Sequence, residues 1–177
     1  MVNETALDFA RHLAERGLVA SGNKFTYWQD TKNQLVTFPL WTMYGQLVGY
    51  QQYDWRAGKE KSNDCKGRYC TYRRKDSLTA WGLEYLSMTE VPKLYVCEGV
   101  FDAVSVMNAG KACVATLSNN PKQLKRWLAS FPCKTVALCE GDKAGKMLVN
   151  CCDEAVYLPT GHDANSMDVN DLVNLLK

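Results

Sequence analysis

Three acidic strings stand out by residue type and spacing: Cys97-Glu98-Gly99-x-x-Asp102, Cys139-Glu140-Gly141-Asp142-Lys143-Ala144-Gly145 and Gly161-His162-Asp163-Ala164-Asn165. Each follows a short apolar run, Leu94–Cys97, Thr135–Cys139 or Ala155–Leu158, that reads as a buried strand. A single acid after a strand is ordinarily a helix cap. Acids at three successive strand ends, two of them beside glycine, form a set. Ligands of parallel α/β sheets bind beyond the carboxyl ends of the strands. Carboxylates converging there repel one another unless a cation neutralises them, and hard oxygen donors suit Mg²⁺ or Mn²⁺, which in turn clamp phosphates.

The elements needed to position such a set alternate regularly. Helical stretches are expected at about Val100–Asn108, behind Pro121 to about Ser130, near Ala144–Asn150 and at Asp168–Leu176, between strands that include Ala112–Leu117. Strands alternating with helices of this length imply βαβ units and a parallel sheet covered on both faces. The preceding segment is different. A helix at Thr5–Arg16, stopped by Gly17, leads to strand-like stretches Gln34–Leu40 and Leu47–Tyr53, separated by a turn at Tyr44-Gly45-Gln46. The stretch from Arg56 to Lys75 reads as loop-rich, and Ser77–Leu86 as a short helix. The predicted fold is therefore α/β: a four-stranded parallel sheet covered by helices over residues 91–177, preceded by a smaller α+β unit over residues 1–90.

Composition removes several functional classes. With 46% apolar and 23% charged residues over 177 positions, the chain reads as an ordinary soluble protein, and no apolar run approaches a membrane span. The start, Met-Val-Asn-Glu-Thr, lacks the pattern of a signal peptide. Eight cysteines occur without a CxxC pair, so no zinc finger is visible and reduced thiols in a cytosol are expected. Net charge is only +2, but eight basic residues face two acidic ones between Arg56 and Lys75. That concentration suits a phosphate backbone, and the interleaved Tyr69 and Tyr72 could stack on bases. His12, among the apolar positions of the first helix, reads as structural. The aromatic run Trp41, Tyr44, Tyr50, Tyr53 and Trp55 reads as a sheet face in contact with a core.

With these residues in view, the C-terminal half resembles the Toprim domain of primases and topoisomerases, and the wording Gly-Asp-Lys-Ala-Gly with Asp163-Ala164-Asn165 resembles the primase branch, phage primases especially. Phe38-Pro39-Leu40 followed by Gly45-Gln46-Leu47-Val48-Gly49-Tyr50 is similar to the hairpin that precedes Toprim in DnaG-type primases. Arg68-Tyr69 and Trp81-Gly82-Leu83 also resemble steps of that family. The likeness is to the core, without zinc ribbon or helicase module. The central motif departs from the family's Asp-x-Asp by carrying Glu140, and the added methylene shifts the carboxylate by roughly 1 Å. Asn165 stands where many bacterial relatives carry a second aspartate.

The resemblance implies a primase-type DNA-directed RNA polymerase, a nucleotidyltransferase making short RNA primers from NTPs. Glu98 would be its catalytic glutamate, and Glu140, Asp142 and Asp163 would hold Mg²⁺ or Mn²⁺. Lys66, Arg68, Arg73, Arg74 and Lys143 would contact template or triphosphate. Expected partners are a single-stranded DNA template and NTPs, with a replicative helicase or a separate zinc-ribbon module, and no membrane. The expected location is the cytoplasm of a bacterium or a phage-infected host. Two alternatives follow from the same motifs: a catalytically weakened Toprim protein that binds nucleic acid or a partner, and a metal-dependent Toprim nuclease.

Overall fold

Helix α1 (Glu4–Glu15) turns Phe9 and Leu13, one helical turn apart, into the core. It ends because Gly17 adopts φ 84°, with Leu18 N–H donating to Leu13 O (2.8 Å) and Gly17 N–H to Ala14 O (2.9 Å). This pairing satisfies the last helical carbonyls. The computed structural model describes residues 4–18, 25–58, 67–86, 91–118, 121–140 and 147–177. After α1 come strands β1 (Trp28–Asp30), β2 (Leu35–Trp41), β3 (Leu47–Asp54) and β4 (Tyr69–Arg73), an antiparallel sheet in that order. The β2–β3 hairpin closes through Thr42, whose N–H donates to Gln46 O (2.8 Å), and a bulge shifts register between Leu40 and Trp41.

The second segment contains β5 (Lys93–Cys97), α2 (Val100–Asn108), β6 (Ala112–Ala115), α3 (Lys122–Ala129), β7 (Lys134–Cys139), β8 (Glu154–Tyr157) and α4 (Val169–Leu175). Residues 147–149 are also helical. The sheet is parallel with order β6-β5-β7-β8. Alternation along β5 sends Tyr95 and Cys97 to one face and Leu94 and Val96 to the other. Both faces are buried, as a sheet built from crossovers requires. On the first face lie α2, α4 and the inner face of the antiparallel sheet, joined in one core through Phe38, Tyr53 and Phe101. Their rings meet edge to face at 5.6 Å (Phe38–Phe101) and 5.0 Å (Tyr53–Phe101). The second face is covered by Leu124 and Leu128 of α3 and by Leu148. Asp168 caps α4 by accepting from Asn170 N–H at 2.8 Å.

Several local expectations change. The basic stretch read as loop contains β4, and Ser77–Leu86 is not an α-helix. Only a 3-10 turn forms, at Leu83–Tyr85. Before it, Trp81 exchanges both backbone hydrogen bonds with Ala115 (2.9 Å each). That bridge occupies the outer edge of β6, which would otherwise present unpaired backbone groups. Gly82 makes the contact possible: at φ 99°, a Cβ would lie 2.9 Å from Cys113 O. Trp81 itself is fully buried against Phe25, Phe38 and Tyr85. Cys70 is disulfide-bonded, which corrects the expectation of reduced thiols throughout; the other six described cysteines are free. Among the described residues no helix is long and apolar enough to cross a membrane.

Glu84, in the 3-10 turn, has both carboxyl oxygens buried, and burial pushes its carboxyl up to about 7 against the opposing pull of its own backbone N–H, the Tyr85 hydroxyl and the Gly82 backbone. A folded-state value above the unfolded one means the native chain binds the extra proton. The contribution of Glu84 to stability is then fully present below about pH 4.5 and is lost as pH rises towards 7. Glu84→Gln is expected to raise stability at pH 8 by about 1–2 kcal/mol and to change little at pH 4. Urea unfolding at the two pH values checks this, and equal effects at both would contradict it.

Candidate active site

The chain leaves β5 through α2 to β6 on one side, then returns through α3 to β7 on the other. The crevice beyond the carboxyl ends of β5 and β7 is thus where the crossovers part, the place where such sheets bind ligands. Glu98 directly follows β5 and Glu140 directly follows β7, both exposed at this edge. The loop after β6 is fastened here too. Thr116 N–H donates to Cys97 O and Leu117 N–H to Glu98 O, each at 2.9 Å. Leu117 adopts φ 59° to do so, a left-handed conformation that costs a non-glycine residue about 1 kcal/mol or more.

Asp163 lies in the turn after β8, where Ser166 N–H donates to its Oδ1 (2.7 Å). The next acid towards the interior is Asp102, in the first turn of α2. Its Oδ1 accepts from Asn165 N–H at 3.3 Å. Burial pushes the Asp102 carboxyl up to about 7; the charges of Asp163 and Glu140 push the same way, while the Asn165 bond and Arg16 oppose them. Three carboxyls, from α2 and from the loops after β7 and β8, therefore share one electrostatic neighbourhood. A Cβ at Gly99 would sit 2.6 Å from Asp102 Oδ2, so a larger residue there would displace that carboxylate from its present position. The Glu-Gly-x-x-Asp spacing thus has a steric cause.

The sequence places Asp102 in the first acidic string and Asn165 in the third without giving either a role, and gives no sign of Arg16. For Asp102 the signal was its position one helical turn beyond Glu98-Gly99. Asn165 donates through Nδ2 to Ser105 Oγ (2.9 Å) and Arg16 O (3.2 Å), tying the Asp163 turn to α2 and to the end of α1. A carboxylate cannot donate these bonds. Asn165→Asp is therefore expected to destabilise the chain by about 1–3 kcal/mol at pH 8, less at pH 5. Thermal unfolding at both values checks this; an unchanged or raised melting temperature would contradict it. Arg16 sits over the Phe101 ring, its Cζ 4.2 Å from the centroid.

Strand β4 is tied at its two ends to elements that form this edge. Tyr69 packs on Tyr53 (ring centroids 5.2 Å), which meets Phe101 at the start of α2. At its other end, Arg73 Nη1 donates to Gln123 Oε1 (3.5 Å) in the first turn of α3. Arg68 precedes the strand and is anchored through Nε to Ala57 O (3.1 Å). Arg74 is exposed beyond its end. Of the residues expected to bind metal or phosphate, Asp142, Lys143 and Lys66 lie outside the described residues. Among the described residues, no three His, Cys, Asp or Glu side chains are close enough to share a metal ion. Glu98, Glu140 and Asp163 are hard oxygen donors on one edge, and the mutual repulsion expressed at Asp102 is of the kind a divalent cation relieves. The donor set fits Mg²⁺ or Mn²⁺ chemically. His12 stands apart from this chemistry: it stacks between Tyr53 and Trp55, with Nε2 2.8 Å from the Tyr53 hydroxyl.

Comparison with known proteins agrees with this geometry. Residues 95–172 match the Toprim-like family. No curated protein matches the chain by sequence. Among solved structures, a DnaG catalytic core superposes with TM-score 0.65 at 16% identity, covering 93% of this chain and 69% of that one. A DnaG primase catalytic domain bound to ssDNA gives TM-score 0.58 at 16% identity, covering 89% and 55%. The primase fragment of the bacteriophage T7 primase-helicase protein gives TM-score 0.61 at 16% identity, covering 80% and 61%. The chain thus spans little more than half of two of these relatives. It has the fold of DnaG-type primase catalytic cores, with a Toprim-like domain at residues 95–172.

Proposed function

We propose that the chain is a primase core that joins nucleoside triphosphates into short RNA primers on a single-stranded DNA template, in the cytoplasm of a bacterial or phage-infected cell. The observation that carries this reading is the set of carboxyls after β5, β7 and β8 at one sheet edge, with Arg73 of β4 reaching the first turn of α3 (Nη1 to Gln123 Oε1, 3.5 Å). Anionic chain and triphosphate would lie along the arginines, with the reacting phosphorus at the acids. Glu140, Asp142 and Asp163 would hold Mg²⁺ or Mn²⁺, which would supply charge neutralisation of the triphosphate. In the reaction a primer 3′-hydroxyl oxygen bonds to the α-phosphorus of the incoming nucleotide, and the bond to pyrophosphate breaks. Glu98, exposed after β5, would take the hydroxyl proton. Arg73 would hold the phosphate backbone in register. A zinc-ribbon module and a helicase would be separate partners.

The test is template-directed incorporation of labelled NTPs on mixed-sequence single-stranded DNA, with Mg²⁺ and Mn²⁺ tried separately. Short RNA products that require template and metal support the reading. DNA cleavage without NTPs would replace it with a nuclease. No product in either metal, with DNA binding intact, would replace it with a binding protein.

A further inference from the structure

The antiparallel sheet has an outer face that the acidic edge does not use. Cross-strand pairing puts Trp28 with Thr37, Pro39 with Tyr50, and Tyr50 with Tyr72 on the side opposite Phe38 and Tyr53. Trp41 and Leu47 pair on the same side. None of these aromatic or aliphatic side chains joins either hydrophobic core. Trp28 is 53% exposed, Leu47 53%, Tyr50 39% and Tyr72 63%. The Tyr50 and Tyr72 rings lie nearly parallel, 24° apart with centroids at 5.6 Å, open to solvent. Among the described residues no helix covers this face.

Charge is distributed unevenly around it. Arg74 extends β4 by donating its N–H to Val48 O (2.9 Å), and Arg74 and Lys75 are exposed at the Tyr72 end, with Asp76 the neighbouring acid. The acids Asp30 and Asp54 lie at the opposite end, and Asp54 is already paired with Arg56 (Oδ1 to Nε, 3.5 Å). Flat exposed rings rimmed by cations match single-stranded nucleic acid, whose bases stack on aromatic faces while its phosphates meet the cations. The same strand carries Arg73, which reaches α3 at the acidic edge.

We propose that the outer face of the antiparallel sheet, centred on the Tyr50–Tyr72 pair, is a stacking platform for the bases of single-stranded nucleic acid, with Arg74 and Lys75 holding its phosphates. This extends the primase reading but is measured independently of it, in EDTA and without nucleotides. The probe is fluorescein-labelled oligo(dT) of about 16 nucleotides, enough for a stacking site of this kind. Anisotropy and tryptophan quenching are followed for the full chain. Tyr72→Leu and Tyr50→Leu are each expected to weaken binding about five- to 150-fold, whereas Tyr72→Phe, which keeps the ring, stays within about twofold of wild type. Arg74→Gln is expected to lower the slope of log K against log salt by about 1. Because Tyr72 is surface-exposed, the variants should keep the wild-type melting temperature, which is measured alongside. Crosslinking of a 5-bromouracil oligonucleotide to residues 69–73 supports the platform. Equal binding by wild type and both leucine variants overturns it. So does loss of quenching without loss of affinity, and so would a finding that the face recruits a replication protein while DNA binds elsewhere. Failed template-directed synthesis by the wild-type chain, with oligo(dT) binding intact and dependent on Tyr72, would refute only the primase reading.

Discussion

Glu98→Gln is expected to lower template-directed NTP incorporation by about 10²–10⁴-fold while leaving the melting temperature within about 2 °C of wild type. The glutamate directly follows β5 at the crevice and is exposed there, so its replacement by an isosteric amide removes charge and basicity without opening a cavity. Losing a positioned general base costs about that factor, and losing a carboxylate that faces a phosphate-bound cation acts in the same direction. The measurement is labelled primer yield per minute at saturating NTP, in Mg²⁺ and in Mn²⁺. Activity within tenfold of wild type in both metals would remove Glu98 from the chemistry. Glu140→Asp beside it reads the effect of the longer acid at this site: a rise in rate would mean that the extra methylene holds the carboxylate away from its best position.

The second large effect concerns the joint between the two sheets. Trp81→Ala is expected to destabilise the chain by about 3–5 kcal/mol, a large part of the ordinary 5–15 kcal/mol of a domain. Trp81 is 0% exposed and fills the space between Phe25, Phe38 and Tyr85, while its backbone completes the edge of β6. Truncation would leave a cavity that the bridged backbone cannot collapse. Trp81→Phe is the informative partner. The indole Nε1 is buried without a hydrogen-bond partner, so phenylalanine removes an unsatisfied donor along with some volume. Its cost should be about 1–2 kcal/mol, well below that of alanine. Guanidinium unfolding of the three proteins tests the pair, and equal losses for both variants would refute the packing account.

The parallel half was readable because its strands are continuous apolar runs, with helices and glycine stops between them. A sheet buried on both faces imposes that pattern on the sequence. The acidic strings were readable for the same reason: each comes just after such a run, so its place at the carboxyl edge follows from the strand. Strands β1 and β4 were not readable. Their residues are mostly exposed, with burial patterns lacking the clear alternation of a half-buried strand. They are strands because β2 and β3 offer them hydrogen-bonding partners. Ser77–Leu86 misled for a related reason: its helical spacing of apolar residues is satisfied by burial of Trp81 and Leu83 against β6, with no helix.

Types and order of the acids, the parallel sheet that presents them and the basic character of residues 56–75 were determined by sequence alone, because each is set by local pattern. Tertiary structure decided that β4 is tied at its two ends to elements of the acidic edge, that Asp102 joins the carboxyls and that Asn165 fastens their turn to α1. It also decided which aromatics fill the core and which form an open face. Tyr50 and Tyr53, three residues apart on one strand, fall on opposite faces by the strand's two-residue period, one solvent-facing and the other buried. Which of the two is buried is set by the side of the sheet on which α1 and α2 pack, a long-range choice that no local run of residues encodes.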